Sequence, residues 1–192
     1  MTQTTPKLVV GMAAPTFQTV DLFDQPVNLA DYRGRWLLLS FYRFSACALC
    51  NLRVHQLISK YPEYQAKGMD MLAVFESPKA NMLQYVGKQD APFAMVGDAE
   101  ARLYDLYGVE TSEEKVKATM AEASTMDHVK AAAAAGFALT KEEGSNFNRM
   151  PADFLIDPEG IISEAFYSEL IGQHLSLEVV DRYLKAEVSL SS

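Results

Sequence analysis

Short apolar runs alternate with amphipathic stretches along most of the chain. The nearly apolar run Trp36–Tyr42 is followed, from Asn51 to Lys67, by apolar residues at helical spacing, and Gly68 ends that stretch. A second apolar run, Met69–Phe75, leads into Ser77-Pro78, a pair typical of a helix N-terminus. Apolar runs of this length predict buried strands, and the spacing between them predicts helices.

The same alternation continues toward the C-terminus. Further strands are predicted at Phe93–Val96, Ala152–Ile156 and Ile161–Tyr167, and further helices at Ala99–Tyr107 and Leu177–Ala186. The tetrapeptide Asp157-Pro158-Glu159-Gly160 predicts a tight turn between two antiparallel strands. Residues Met12–Leu29, broken by polar residues and prolines, predict a small β-hairpin. Together these elements predict an α/β fold whose sheet is parallel at first and antiparallel at its edge.

One long segment, Glu110–Asn148, has a different composition, with few large apolar residues and the alanine run Ala131–Ala135. Alanine is the strongest helix former, so the segment predicts a helical insertion. The length of 192 residues suits one domain, so we expect residues 1–192 to form a single unit around this insertion. We expect the insertion to be a surface helix, with a lid over a functional site as the alternative.

Composition and charge exclude some partners. A formal charge of −8 disfavours nucleic-acid binding, which needs a basic surface. No stretch approaches the roughly 18 apolar residues of a membrane span. The start of the chain, Met1–Pro6, lacks the basic and apolar pattern of a signal peptide. We therefore expect a cytoplasmic protein without nucleic-acid or membrane partners.

The sequence contains two cysteines, Cys47 and Cys50, at the junction between a predicted strand and a predicted helix. A helix N-terminus stabilises a thiolate, which is the reactive form of cysteine. A disulfide closing so short a loop would contribute only about 2 kcal/mol. In a reducing compartment such a pair is more often catalytic or metal-binding than structural. Redox chemistry is therefore the leading interpretation.

A metal site is disfavoured because zinc requires three or four ligands. The sequence has no second cysteine pair, and its histidines are scattered, at His55, His128 and His174. We therefore expect neither a metal nor another cofactor. His55 lies about 12 Å along the helix from Cys47, too far for a general base, and is expected to be a surface or packing residue. For Asp153 we expect an outward-facing side chain, with a buried proton acceptor as the alternative.

Several segments together resemble a known family. They are Gly11–Asp31, Phe41–Leu52 with its cysteine pair, Ser77-Pro78, and Pro151–Gly160. The chain resembles thioredoxin-fold proteins and, more closely, the alkyl hydroperoxide reductase/thiol-specific antioxidant branch, in its peroxiredoxin-like subgroup with a Cys-x-x-Cys site. The resemblance implies a central mixed sheet flanked by helices and a thiol-based oxidoreductase. It also implies a thioredoxin-like or glutathione-like electron donor and a homodimer.

The chain departs from typical peroxiredoxins at the site. Their Pro-x-x-x-Thr-x-x-Cys pattern, aligned on Cys50, places Arg43 at the proline position and Cys47 at the threonine position. A later arginine of the family is replaced by Pro151. Cys47 and Pro151 are what thioredoxin-like oxidoreductases carry there. The sequence leaves open whether the bond before Pro151 is cis; a cis Pro151 would offer its backbone to a substrate chain.

Two mechanisms remain open. In thiol–disulfide exchange, Cys47 attacks a protein or small disulfide and Cys50 resolves the mixed disulfide. In the peroxidase alternative, Cys50 attacks a hydroperoxide and Cys47 resolves the sulfenic acid. Arg43 or Arg53 could lower a thiol pKa or bind peroxide, or could be merely solvated or paired with a surface carboxylate. We favour exchange because of the site residues.

A hypothesis from a different class is a redox sensor that binds a partner without turnover. In that case the Glu110–Asn148 segment would report the oxidation state of the cysteine pair.

Overall fold

The computed structural model describes residues 5–188. Its strands are β1 (Gln18–Val20), β2 (Pro26–Asn28), β3 (Trp36–Phe41), β4 (Met69–Phe75), β5 (Ala94–Gly97), β6 (Ala152–Ile156) and β7 (Ile162–Tyr167). Its α-helices are α1 (Ala48–Ala66), α2 (Lys79–Gln84), α3 (Arg102–Leu106), α4 (Glu113–Ala121), α5 (Ala123–Ala134) and α6 (Leu177–Val188). Short 3-10 helices occupy Leu29–Tyr32 and Val86–Gln89.

The central sheet has five strands in the order β5-β4-β3-β6-β7. The pairs β3–β4 and β4–β5 are parallel, whereas β6 is antiparallel to both β3 and β7. The N-terminal strands β1 and β2 form a separate antiparallel pair. The predicted mixed α/β sheet with an antiparallel edge is therefore confirmed, as is the N-terminal hairpin.

Apolar layers cover both faces of the sheet. Along β3, Trp36 and Leu38 face the layer that contains α1 and α6, while Leu37, Leu39 and Phe41 face the opposite layer. This alternation is the period-two pattern of a strand that is buried on both sides. It places the residue after Phe41 back on the α1 side, where the chain leaves the sheet toward the cysteines.

The segment 110–148 contains α4 and α5 between β5 and β6. It packs on the α1 layer through Val116 and Ala132, which are both buried, and through Phe137, whose ring lies 5.8 Å from that of His55. Most residues of α4 and α5 are exposed, as expected for surface helices, and the segment reaches the core through a few side chains only.

Within residues 5–188, no helix is both long enough and apolar enough to cross a bilayer. Residues 1–4, which make up most of the Met1–Pro6 stretch, lie outside the described residues.

Candidate active site

The two cysteines lie where β3 leads into α1 and are joined as a disulfide, with their Cα atoms 5.2 Å apart. Cys47 is the N-cap residue of α1, and its Sγ accepts a hydrogen bond from the backbone N–H of Cys50 at 3.3 Å. Both residues are nearly buried, with 4% of Cys47 and 1% of Cys50 exposed. The predicted position at a strand–helix junction is confirmed.

The loop before Cys47 is fixed by side-chain amides. Asn51, in the first turn of α1, donates to the carbonyls of Ser45 and Cys47 at 2.8 and 2.9 Å. The side chain of Gln89 donates in turn to the Asn51 Oδ1 at 3.0 Å. These contacts hold the loop against the helix start, so the two sulfurs are kept close without further rearrangement.

A buried carboxylate from the 110–148 segment, Glu142, reaches the same loop. Its Oε2 accepts from the Ser45 hydroxyl at 2.8 Å and from the Ala46 N–H at 2.9 Å. Its Oε1 accepts from the Ser77 hydroxyl at 2.6 Å and from the Asn81 amide at 3.0 Å. Glu142 thus connects the cysteine loop to the start of α2. Sequence reasoning missed it, because a glutamate in a polar run reads as a solvated residue.

Arg43 is buried beside the cysteine loop. Its guanidinium donates to the carbonyls of Phe147 and, at 3.1 Å, of Arg149. It also lies 5.0 and 4.9 Å from the ring centroids of Phe44 and Phe147. Burial lowers the pKa of Arg43 to about 10. The suggestion that it is solvated or paired with a surface carboxylate is wrong, since main-chain carbonyls and aromatic rings hold it.

A second polar cluster lies on the α1 side of the sheet. Asp153 is fully buried, and its Oδ2 contacts the His174 Nδ1 at 3.0 Å and accepts the Leu175 N–H at 2.7 Å. Arg53 donates to the Leu175 carbonyl at 2.7 Å. The expectation that Asp153 faces outward is wrong: it pairs in register with Ser40 of β3, and both faces of that sheet are covered.

Burial acts to raise the pKa of Asp153, but the adjacent His174 and the Arg53 guanidinium outweigh it and hold that pKa below its usual value. A carboxyl with a lowered pKa stabilises the fold above its unfolded-state pKa of 3.8 and loses that contribution as the pH falls further. Asp153→Asn should therefore reduce the free energy of unfolding by about 3 kcal/mol at pH 7. Denaturant titrations should show that the difference in free energy of unfolding between wild type and variant becomes smaller below pH 3.8.

The control for this prediction is Asp127→Asn, because Asp127 pairs with Lys130 at the surface and its side chain is 78% exposed. The free energy of unfolding of that variant should remain close to the wild-type value at every pH of the titration. If the loss of free energy of unfolding in Asp153→Asn stayed constant across the acid range, it would contradict the role of Asp153 as an ionised buried carboxylate.

Pro151 lies just before β6, whose first residue, Ala152, pairs with Phe41. No cis peptide bond occurs among residues 5–188, so the bond before Pro151, which the sequence left open, is trans. The trans form is the intrinsically favoured one. The Met150 N–H donates to Glu110 and the Pro151 carbonyl accepts from Ser168, both at 3.1 Å. These two backbone groups are therefore used within the chain.

His55 is exposed on α1, with its ring beside that of Phe137, as expected for a surface or packing residue. His174, which the sequence could not place, is buried in the Asp153 cluster, where its ring lies 5.1 Å from that of Tyr42.

An apolar groove of about 370 Å³ opens at the cysteine loop. Its lining comes from residues 43–49, from residues 119–147 of the 110–148 segment and from Ile171. Cys47 is one of the lining residues, and Cys50 is not. The 110–148 segment thus supplies one wall of a groove that ends at the N-cap sulfur residue.

A mixed five-stranded sheet with a disulfide at the N-terminus of the helix after its central strand defines a thioredoxin-like fold. The structure resembles the thioredoxin domain of a thiol-disulfide oxidoreductase from Bacteroides vulgatus, with a TM-score of 0.56 at 16% identity, covering 93% of this chain and 99% of that one. Residues 10–165 match the AhpC/TSA family, and the chain belongs to that family. The resemblance seen in the sequence is therefore confirmed.

The relatives include proteins named as thiol-disulfide oxidoreductases and proteins named as peroxiredoxins. The chain is 32% identical over 103 residues to the thiol-disulfide oxidoreductase ResA of Geobacillus thermodenitrificans, covering 53% of this chain and 59% of that protein. It is 28% identical over 118 residues to the selenocysteine-containing peroxiredoxin PrxU of Peptoclostridium acidaminophilum, covering 56% of this chain and 58% of that protein. The chain thus spans less than two thirds of the length of these relatives.

Proposed function

We propose that this protein is a thiol–disulfide oxidoreductase that cycles Cys47 and Cys50 between dithiol and disulfide, with Cys47 attacking first. The observation that carries the proposal is the position of Cys47 as N-cap of α1, where its sulfur accepts the Cys50 N–H at 3.3 Å. Such a position favours a thiolate at this sulfur. Cys47 also lines the groove, whereas Cys50 lies behind it.

The proposed reaction begins with attack of the Cys47 thiolate on one sulfur of a substrate disulfide. This forms a mixed disulfide and expels the other substrate sulfur as a thiolate. Cys50 then loses its proton and attacks the Cys47 sulfur, which releases the second substrate thiol and leaves the Cys47–Cys50 disulfide. Two electrons pass from the protein dithiol to the substrate. A thioredoxin-like or glutathione-like thiol would return the protein to its dithiol form.

The surrounding residues would act mainly by positioning. Glu142 would hold the Ser45-Ala46 backbone so that Cys47 stays at the helix start. Arg43 would supply positive potential at the groove from its buried site. Arg53 contacts the Leu175 carbonyl, and we assign it to supporting the Asp153–His174 cluster. Pro151 would brace β6 against the end of β3.

A peroxidase is the second candidate, and membership of the AhpC/TSA family together with the similarity to a peroxiredoxin favours it. In that mechanism Cys50 attacks the hydroperoxide and Cys47 resolves the sulfenic acid. Cys50 does not line the groove, which disfavours a first attack there. A redox sensor that uses the packing of α5 against α1 is a third candidate. The homodimer and the cytoplasmic location remain predictions.

The test is a comparison of two oxidants on the reduced protein. Single-turnover oxidation by a small disulfide should be fast, whereas oxidation by an equal concentration of hydrogen peroxide should be about tenfold slower or more, because exchange needs only the thiolate at Cys47. Rapid oxidation by peroxide with sluggish reaction toward disulfides would contradict the proposal. A free dithiol measured alongside corrects for the intrinsic reactivity of each oxidant.

A further inference from the structure

The groove at Cys47 has an unusual share of the exposed apolar side chains of the described residues. Four large apolar residues on its lining are more than half exposed, namely Met120 at 70%, Met126 at 58%, Leu139 at 72% and Phe147 at 53%. Single exposed apolar residues are normal on a protein surface. A cluster of them around one groove is typical of ligand-binding grooves and of interaction surfaces.

The groove has the size and composition of a small-molecule site. Its volume of about 370 Å³ falls within the range of ~300–1,000 Å³ that ligand pockets occupy. Hydrogen peroxide alone would leave nearly all of it empty. The methionines on its wall have flexible thioether side chains, which can pack against apolar groups of different shape.

Three polar side chains on the groove lining, those of Thr119, Thr125 and Arg43, already have partners within the chain. The Thr119 hydroxyl donates to the Lys115 carbonyl and accepts from the Ile171 N–H, each at 2.8 Å. The Thr125 hydroxyl donates to the Thr119 carbonyl at 2.6 Å. The guanidinium of Arg43 is held by backbone carbonyls. A polypeptide backbone seated here would lose its hydration without gaining these partners, at a cost that an alkyl or aryl group does not have.

Resting on the proposed exchange function, we infer that the 110–148 segment forms a subsite for the apolar arm of a small organic disulfide. The arm lies along the wall made by Met120, Met126 and Leu139, and its sulfur meets Cys47. The Cys47 thiolate attacks that sulfur, a mixed disulfide forms, the second sulfur leaves as a thiolate, and Cys50 then releases the arm as its thiol. The electrons come from the protein dithiol, so no further reductant is needed within one turnover.

The experiment uses mixed disulfides of thionitrobenzoate with alkyl thiols from methyl to octyl. Attack on the alkyl sulfur releases the coloured thionitrobenzoate, and each rate constant is divided by that of free glutathione with the same probe. We expect the normalised rate constant to rise about 2–4-fold per added methylene until the arm fills the groove. The double variant Met126→Gln/Leu139→Gln should lose most of the chain-length dependence.

The matched control is Leu83→Gln, because Leu83 is 44% exposed and lies outside the groove. It should retain the wild-type chain-length dependence. If the wild type reacts readily with the methyl probe but gains nothing from longer arms, the subsite is wrong and exchange stands. If the alkyl series is flat while a leucine-flanked cysteinyl peptide disulfide reacts faster, the occupant is a polypeptide and this inference is overturned. If no disulfide reacts while peroxide is consumed, the proposed function fails together with the subsite.

Discussion

The protein with serine in place of Cys47 is expected to lose disulfide exchange, with turnover at least roughly 10³-fold below wild type. A serine hydroxyl is not ionised near neutral pH, so the group at the N-cap of α1 would no longer be a nucleophile. Cys50 would remain, but it does not line the groove. Turnover of a small disulfide with an excess of thiol donor provides the measurement.

The companion variant Cys50→Ser should behave differently, because it keeps the attacking sulfur. It is expected to release one equivalent of leaving thiol at close to the wild-type rate and then stop as a stable mixed disulfide on Cys47. Intact-mass measurement should show that adduct in Cys50→Ser and not in Cys47→Ser. The opposite distribution would assign the first attack to Cys50. Thermal unfolding of both reduced variants would establish that each is folded.

The variant Glu142→Ala is expected to lower the free energy of unfolding by about 3 kcal/mol, because four donors, three of them buried, lose their acceptor. For a domain of this length the melting temperature should fall by about 6–12 °C. Exchange should slow about tenfold or more, because the loop before Cys47 loses the group that holds the Ala46 N–H. Calorimetry and single-turnover kinetics measure the two effects.

Two further variants distinguish a specific role from a general one. Glu142→Gln keeps one carbonyl acceptor but turns an amide toward the remaining donors. We therefore expect roughly half of the loss in free energy of unfolding that Glu142→Ala shows. Glu143→Gln changes the adjacent, exposed glutamate and should remain within about 0.5 kcal/mol of wild type. If Glu142→Ala had the same melting temperature as Glu143→Gln, the result would contradict the bridging role of the Glu142 carboxylate.

The sequence predicted the fold and the cysteine pair well, because those signals are local. Trp36–Tyr42 shows the continuous apolar run of a buried strand, and the helical spacing after the cysteines follows directly. The sequence also sufficed to place Cys47 at the helix start, because the apolar run ends shortly before it. Such inferences depend on neighbours within a few residues.

The rest of the site depends on contacts between distant residues. Glu142 is 97 positions from Ser45 and 65 from Ser77, and no periodicity in the sequence links them. Asp153 was misjudged because its environment is set by the register of β6 on β3 and by the loop that carries His174. Burial of Arg43 likewise arises from the carbonyls of the segment 147–149.

We propose that Cys47, and not Cys50, is the first nucleophile and that the substrate is a disulfide. The reaction of the reduced Cys47→Ser protein with one equivalent of hydrogen peroxide distinguishes the two cysteines, with dimedone present to label any sulfenic acid. We expect slow consumption of peroxide and little labelling of Cys50, because this thiol does not line the groove. Rapid, stoichiometric consumption with dimedone on Cys50 would contradict the account and identify the protein as a peroxidase.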